Sequence, residues 1–216
     1  MTLLVAYSVS GGSPPPTLES LRVFEDGTAR AIVTAAWPRG EPQDEAGLYE
    51  TRVDPEPLRR LVAGLSPGED GPIRADSGRS SITLGEDGGK VVWGAFATAP
   101  PEAAELRSVL DEVRRHPVAT VRLEFDGTEL VLSNPSSEPV GVSLVRPRVA
   151  AYDGDGPPTL AVYRTAAEVA PMPDGPLAPG ERRSVPVDAP AGAAFATLTL
   201  ELPDSPPLAG FLVARR

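Results

Sequence analysis

The sequence has 216 residues and a formal net charge of −10, a length that suits one large domain or two small ones. The acidic balance excludes nucleic acid from the expected partners, because a phosphate backbone repels a strongly negative chain. The sequence contains no cysteine, which excludes disulfides, thiolate catalysis and thiolate-bound metals and fits a cytoplasmic location.

Alternating apolar residues and turn signals predict several strands in the first half. The apolar run at residues 3–9 is too short for a signal peptide or a membrane span, so we expect a strand there and no membrane association. Asp26-Gly27 is a strong two-residue hairpin signal, and residues 37–47 form a long polar loop. The predicted strands are residues 3–9, 20–25, 28–36, 48–53, 79–84 and 90–96.

Two amphipathic helices are predicted in the same half. The first begins at Asp54, a helix-capping residue, with Pro55 in the first helical position, where proline is favoured. The second covers residues 101–116 and stops at Pro117. Both carry apolar residues at i, i+3, i+4 and i+7, namely Leu58, Leu61, Val62 and Leu65 in the first and Leu106, Val109, Leu110 and Val113 in the second.

The second half predicts strands and turns without a helix. Asp126-Gly127 indicates another hairpin, and seven or eight short strands in this half are typical of an immunoglobulin-like β-sandwich. We therefore expect two domains, an α+β domain at 1–117 with an antiparallel sheet and two helices on one face, and an all-β sandwich at 118–216. The predicted strands are residues 119–125, 128–133, 139–146, 148–152, 159–163, 181–187, 194–202 and 208–213.

The sequence offers few residues for catalysis or metal binding. His116 is the only histidine, and it follows a predicted helix, where histidine is a common partner of the terminal carbonyl groups. Asp153 and Asp155 have the spacing of a calcium loop but lack the other ligands of an EF-hand, which favours a plain turn and leaves calcium binding open. We predict no catalytic, cofactor-binding or metal-binding residues and no enzymatic activity.

Exposed loops are the better candidates for function. The glycine-rich loop SGGSPPP has neither a phosphate-binding motif nor a helix directly after it, so we interpret it as a stiff recognition surface. Trp37 precedes a proline in the long polar loop, where it suits a contact residue. The predicted partner-binding residues are Ser10, Gly11, Gly12, Ser13, Pro14, Pro15, Pro16 and Trp37.

The pattern of the first half resembles the emfourin family of small bacterial inhibitors of thermolysin-like metallopeptidases. The resemblance lies in the strand LLVAYSV running into Ser10-Gly11-Gly12, the Leu-rich helix DPEPLRRLVAGL and the closing helix EAAELRSVLDEV, and it covers about residues 1–117. Family members usually have a small or aromatic residue and another glycine after Gly-Gly, whereas Ser13 and three prolines follow here. The resemblance implies that SGGSPPP presses on a metallopeptidase. Residues 118–216 resemble bacterial immunoglobulin-like modules, which implies no activity.

Three functions remain open on these observations. The favoured one is a non-enzymatic protein-binding module of the peptidase-inhibitor kind, since the chain displays long Pro/Gly loops and few reactive side chains. The second is a structural or assembly subunit of a larger bacterial complex, because the edges of a sandwich can pair with strands of a neighbour. The third is a hydrolase that uses only carboxylates, which the 30 acidic residues allow without favouring it. The expected partner is thus another protein, and the sequence leaves the oligomeric state open.

Overall fold

The structure is a computed structural model that describes residues 1–11, 17–36, 44–65, 78–86, 88–94, 97–151, 164–187 and 192–215. The chain divides into two compact units. The first unit contains Met1–Val33 and Tyr49–His116, and the second contains Thr34–Leu48 and Pro117–Arg216. Each unit therefore consists of two separate stretches of the sequence. Within the described residues, the helices are too short or too polar to cross a membrane.

Strands outnumber helices throughout the described residues. In chain order, the elements are β1 (Leu3–Ser10), β2 (Leu18–Phe24), β3 (Thr28–Val33), β4 (Ala35–Ala36), β5 (Glu45–Arg52), α1 (Pro55–Gly64), β6 (Arg79–Leu84), β7 (Lys90–Gly94), α2 (Glu102–Val113), β8 (Pro117–Asp126), β9 (Glu129–Ser133), β10 (Val140–Ala150), β11 (Ala167–Glu168), β12 (Gly175–Leu177), β13 (Arg182–Pro186), β14 (Ala193–Glu201) and β15 (Leu208–Arg215).

The first unit contains an antiparallel run of strands in the order β7-β6-β1-β2-β3. Glu25, Asp26 and Gly27 connect β2 to β3, and the pair of Val23 with Ala29 lies next to this turn. The predicted hairpin is therefore confirmed, with a connection of three residues where the sequence predicts two. The hairpin predicted for residues 79–84 and 90–96 is also confirmed, since β6 pairs with β7. Apolar side chains of the strands and of both helices form one core, with Val5, Leu21, Val23, Tyr49, Ile82, Leu106 and Leu110 fully buried.

The signals in the sequence explain helix α1. The Asp54 carboxylate accepts a hydrogen bond from the Glu56 backbone N–H at 3.0 Å, which satisfies one of the free donors of the first turn. Pro55 occupies the first helical position without losing an intrahelical bond. Leu58 is buried in the core, whereas Leu61 and Val62 pack against the core and are only partly buried.

Helix α2 is shorter than predicted but has the predicted apolar face. It packs against β2 and β3 and buries Ala103, Leu106, Leu110 and Val113. The chain leaves the helix through a turn in which the Arg114 N–H still bonds to the Leu110 carbonyl at 3.0 Å. The Leu stripe thus predicts the buried face correctly, and the helix ends before Pro117 at Val113.

The carboxylate of Asp26 stabilises the β2–β3 turn in a pH-dependent way. The Thr28 backbone N–H donates to it at 3.0 Å, and this bond is the largest of the effects that lower the pKa of Asp26 below its usual 3.8. A lowered pKa means that the stabilisation is present above pH 3.8 and is lost as the pH falls through the folded-state value. We expect Asp26→Asn to flatten this part of the pH profile, measured as urea midpoints of both proteins between about pH 6 and about pH 3. A profile equally steep in both proteins would contradict the assignment.

The second unit contains two groups of paired strands. One runs in the order β11-β10-β14-β15-β4, with β12 also pairing with β10. Strand β4 lies parallel to β15, and the other described strand pairs of this group are antiparallel. The other group is β8-β9-β13, in which β8 and β9 form the hairpin predicted at Asp126-Gly127. Phe195 and Phe211 stack with ring centres 6.1 Å apart within a small apolar cluster of the first group.

Strand β10 contains an irregular site near its middle. Its register with β14 shifts between Ser143 and Arg146, and Leu144 there has a φ of +54° and a side chain 60% exposed. Such a φ is costly for a leucine, because its Cβ approaches a backbone oxygen. The carboxylate of Asp174 accepts from the Leu144 N–H at 2.7 Å and so replaces a ladder bond that the bulge removes.

A buried polar network centres on Asn134, which has no exposed surface. Its amide nitrogen donates to the carbonyls of Glu138 and Leu177, each at 2.9 Å. Its Oδ1 accepts from the backbone N–H and the hydroxyl of Ser136. The same Ser136 hydroxyl accepts from the Thr120 N–H at 2.9 Å, so this short loop after β9 is joined to β8.

Strand β5 approaches β8 closely within the second unit. The buried Glu45 carboxylate accepts from the Thr120 hydroxyl at 2.6 Å and from the Arg122 guanidinium at 2.7 Å. Gly47 has a φ of +146°, and a Cβ placed on it would lie 2.1 Å from the Ala119 carbonyl oxygen. Only glycine fits this position without moving the backbone.

The predicted fold class is wrong. Of the described residues, 55% lie in strands and 14% in helices, in large antiparallel and mixed sheets, which is not an α+β domain followed by an immunoglobulin-like sandwich. The apolar stripes do predict two helices, but these have only 10 and 12 residues and contribute little to a chain composed mainly of strands. Residues 34–48, expected in the first domain, belong to the second unit. The two-domain boundary at 117/118 stays a prediction.

Candidate functional site

The candidate site is the connection between β1 and β2, whose two ends are held by a set of contacts that we call the loop stem: Ser8, Ser10, Gly11, Thr17 and Glu19. On the incoming strand, the hydroxyls of Ser8 and Ser81 share a hydrogen bond of 2.9 Å. Two residues further, the Ser10 hydroxyl donates to the Arg79 carbonyl at 3.2 Å. Both bonds attach the end of β1 to β6.

The two ends of the loop meet at Gly11 and Thr17. The Gly11 N–H donates to the Thr17 carbonyl at 2.8 Å and closes the loop across the five intervening positions. A Cβ on Gly11 would lie 2.4 Å from the Thr17 hydroxyl oxygen, so the close approach suits glycine. The ladder of β1 and β2 continues directly below this closure, with Ser10 opposite Leu18.

On the outgoing strand, Glu19 attaches the loop stem to helix α2. Its Oε1 accepts from the Arg114 guanidinium at 3.2 Å, and its Oε2 accepts from Arg107 at 2.5 Å. Arg114 has a side chain only 4% exposed, whereas the side chain of Arg107 is 40% exposed. The buried guanidinium therefore depends on the Glu19 carboxylate far more than the exposed one does.

Tyr7 lies beside this ion-pair cluster and connects it to the core. Its ring stacks on Trp93 with centres 6.4 Å apart. Burial raises the pKa of the Tyr7 phenol, and the nearby Arg107 charge and hydrogen bond partly oppose that rise. The phenol is thus neutral over the physiological pH range and serves as a packing and hydrogen-bonding group.

We expect Glu19→Ala to lower the free energy of unfolding by about 2 kcal/mol, because it removes a carboxylate to which the buried Arg114 guanidinium donates. Glu25→Ala is the matched control, since Glu25 follows the same strand and pairs with the exposed Arg59. Exposed pairs of this kind contribute about 1 kcal/mol or less. Urea unfolding of both variants measures the difference, and equal losses would show that Glu19 is not a special anchor.

The structure describes only part of the predicted binding surface. Ser10 and Gly11 are described, and both belong to the loop stem. Trp37 and the rest of the predicted loop lie outside the described residues, and these are Gly12, Ser13, Pro14, Pro15 and Pro16. Whether these residues contact a partner stays a prediction.

The other candidate residues are not brought together with the loop stem. The His116 ring is about half exposed, with its Nε2 3.9 Å from a carboxylate oxygen of Glu112. Asp153 and Asp155 lie outside the described residues. In the described stretches, no three His, Asp or Glu side chains form a group that could hold a metal ion.

Sequence reasoning did not find the ion-pair cluster of the loop stem. Arg107 and Arg114 are seven residues apart, a spacing that places both on one face of a helix. That spacing indicates a helix face with two positive charges, which can bind one carboxylate together. Their partner Glu19 lies 88 residues before Arg107, and no local pattern identifies a contact over that distance.

Comparison of the sequence with models of known protein families gives no match. Comparison with curated proteins likewise gives no match.

Proposed function

We propose that the protein is a non-enzymatic protein-binding module that contacts its partner through the β1–β2 loop. The observation that carries this proposal is the loop stem, in which Gly11 and Thr17 close the loop at 2.8 Å. Recognition loops are most effective on a rigid scaffold, because a loop fixed at its base loses less conformational entropy on binding. A base held in this way suits a binding loop, whereas a turn without a binding role does not need one.

The sequence between the closed ends adds to this argument. Pro14, Pro15 and Pro16 are consecutive, and each proline ring restricts its own φ whatever shape the segment adopts. Three consecutive prolines between closed ends reduce the conformational entropy that this segment can lose when it binds a partner. The resemblance of residues 1–117 to the emfourin family supports a thermolysin-type metallopeptidase as the partner.

The proposal places the protein in the cytoplasm of a bacterium, in keeping with its cysteine-free sequence.

Inhibition of purified thermolysin tests the proposal directly. The initial rate of cleavage of a fluorogenic peptide is measured with increasing amounts of the protein. We expect inhibition that weakens about tenfold or more when Pro14, Pro15 and Pro16 are all replaced by glycine, because the freed loop must then be ordered on binding. Trp37→Ala tests the second predicted contact in the same assay.

A matched control separates loss of the contact from loss of the fold. Gly127→Asn changes the β8–β9 turn instead, at a glycine with a φ of +60° that asparagine tolerates. It should leave inhibition unchanged, and both variants should keep the unfolding midpoint of the parent protein. Absence of inhibition by the folded parent protein rules out the thermolysin-type partner.

One observation supports the alternative, a structural or assembly subunit. Strand β4 covers only Phe211 and Leu212 of the eight-residue strand β15 within the described residues. Outside that pair, only Leu208, Ala209 and Arg215 of β15 are not buried, so a strand of another chain could reach the edge at its two ends. Sedimentation velocity over a wide concentration range tests self-assembly, and a monomer at every concentration would exclude that form of the alternative.

A further inference from the structure

A cavity of about 370 Å³ lies in the second unit, between β10 and the segment that follows β11. Two backbone bonds hold this segment to β10, from Val169 N–H to the Pro147 carbonyl at 3.1 Å and from Met172 N–H to the Val145 carbonyl at 3.4 Å. Pro171 lies between them, has no N–H to donate and lines the cavity. The ladder is therefore interrupted where the cavity opens.

Two opposite charges line this cavity without pairing with each other. Arg146 and Glu168 are both exposed, and neither side chain has a hydrogen bond or ion pair with any residue that the structure describes. The Arg146 guanidinium is a planar, always charged donor that binds a carboxylate through two parallel bonds. The Glu168 carboxylate is an acceptor suited to an ammonium group. The two charges are thus available to a ligand.

The remaining walls suit a small ligand with an apolar side. Val169 and Pro171 supply apolar surface, and the Thr197 hydroxyl, opposite Arg146 in the register of β10 and β14, supplies a further donor and acceptor. A few polar groups among apolar walls are typical of small-molecule sites, and a volume of this size is at the lower end of their range. Arg148 also lines the cavity.

We propose that this cavity binds a small zwitterion, an α-amino acid or a dipeptide. Its carboxylate pairs with Arg146, its ammonium group pairs with Glu168, and its apolar side chain lies against Val169 and Pro171. A phosphate ion fits less well. The Glu168 carboxylate repels its negative charge, and phosphate has no ammonium group that could donate to Glu168. The site lies in the second unit and shares no residue with the loop stem.

Ligand-observed saturation-transfer NMR with four probes tests this assignment at concentrations up to about 10 mM. L-leucine and L-alanyl-L-leucine carry both charges, N-acetyl-L-leucine lacks the ammonium group, and L-leucinamide lacks the carboxylate. We expect L-leucine and L-alanyl-L-leucine to bind. We expect N-acetyl-L-leucine and L-leucinamide each to bind more weakly, by about tenfold or more. The zwitterion that binds more tightly shows whether the cavity prefers an amino acid or a dipeptide.

Two variants locate the binding. Arg146→Gln should weaken L-leucine about tenfold and leave L-leucinamide unchanged, whereas Glu168→Gln should weaken L-leucine and leave N-acetyl-L-leucine unchanged. Arg22→Gln is the matched control, since Arg22 is an exposed arginine of the first unit and has no partner among the described residues. Binding equal for all four probes, binding unaffected by both variants, displacement of bound L-leucine by inorganic phosphate added at the same concentration, or no signal from either zwitterion would each overturn the proposal.

Discussion

Replacing Gly47 by alanine is expected to lower the free energy of unfolding by about 3 kcal/mol or more. Two effects add at this position. The φ of +146° is unfavourable for any residue with a Cβ, and that Cβ would lie 2.1 Å from the Ala119 carbonyl oxygen and 2.7 Å from the Thr120 Cα. Both obstacles are backbone atoms of β8, so no side chain can rotate away to make room.

Gly64→Ala is the matched control for this prediction. Gly64 ends helix α1, and a Cβ on it would meet no atom within 4 Å. Alanine there reduces the freedom of the unfolded chain, so this variant should be about as stable as the parent protein or up to about 1 kcal/mol more stable. Urea unfolding followed by circular dichroism measures both. A Gly47→Ala protein that unfolds within about 1 kcal/mol of the parent would show that β5 and β8 lie further apart than described.

Replacing Asn134 by alanine is expected to cost about 3 kcal/mol, since it removes a fully buried side chain that makes four hydrogen bonds. The carbonyl of Leu177 loses this donor in a buried site, and the carbonyl of Glu138 loses it in a partly buried one. The backbone N–H of Ser136 loses its acceptor at the same time. Each stranded group adds its own desolvation cost.

Two further variants check the cause of that loss. Asn134→Asp keeps the acceptor for Ser136 but places a carboxylate oxygen against two carbonyl oxygens, so it should be less stable at neutral pH than near about pH 4, where the acid can protonate and donate. Ser205→Ala changes a surface turn and should stay within about 0.5 kcal/mol of the parent protein. An Asn134→Ala protein as stable as Ser205→Ala would show that the network contributes nothing.

Local signals in the sequence predict the local elements of this chain well. Asp54 and Pro55 mark the start of α1 because capping involves only neighbouring residues. The Asp-Gly pairs mark the hairpins for the same reason. The apolar stripe of α2 predicts which of its residues are buried, although the helix stops three residues before His116.

Elements that depend on distant partners were missed or misplaced. Residue 45 belongs to a segment predicted as a polar loop, yet it begins β5, because Thr120 and Arg122 satisfy its carboxylate in a buried site. Strand β4 has two residues and exists only through its parallel pairing with β15, 176 residues later at its first pair. One strand, β10, replaces two predicted ones, since its pairing with β14 continues beyond the bulge at Leu144 and through Pro147.

The candidate site also has one part that the sequence predicts and one part that it does not. Glycine, serine and proline in one run predict a displayed loop, and Ser10 and Gly11 do lie at its base. The anchoring of that base to α2 through Glu19 could not be predicted, since it depends on how a helix packs on a strand far away in the sequence. Local chemistry in a sequence identifies loops, and tertiary packing determines which of them are held still.

The discontinuous make-up of the second unit affects how the chain is synthesised and how it can be shortened. Residues 34–48 leave the ribosome before any residue of 117–216 has been made, so in the nascent chain they wait for their partner strands while residues 49–116 are added. A fragment starting at Pro117 lacks β4 and the first four residues of β5, including the carboxylate that Arg122 binds. A circular permutant that supplies residues 34–48 after Arg216 would be the sound way to produce this unit alone.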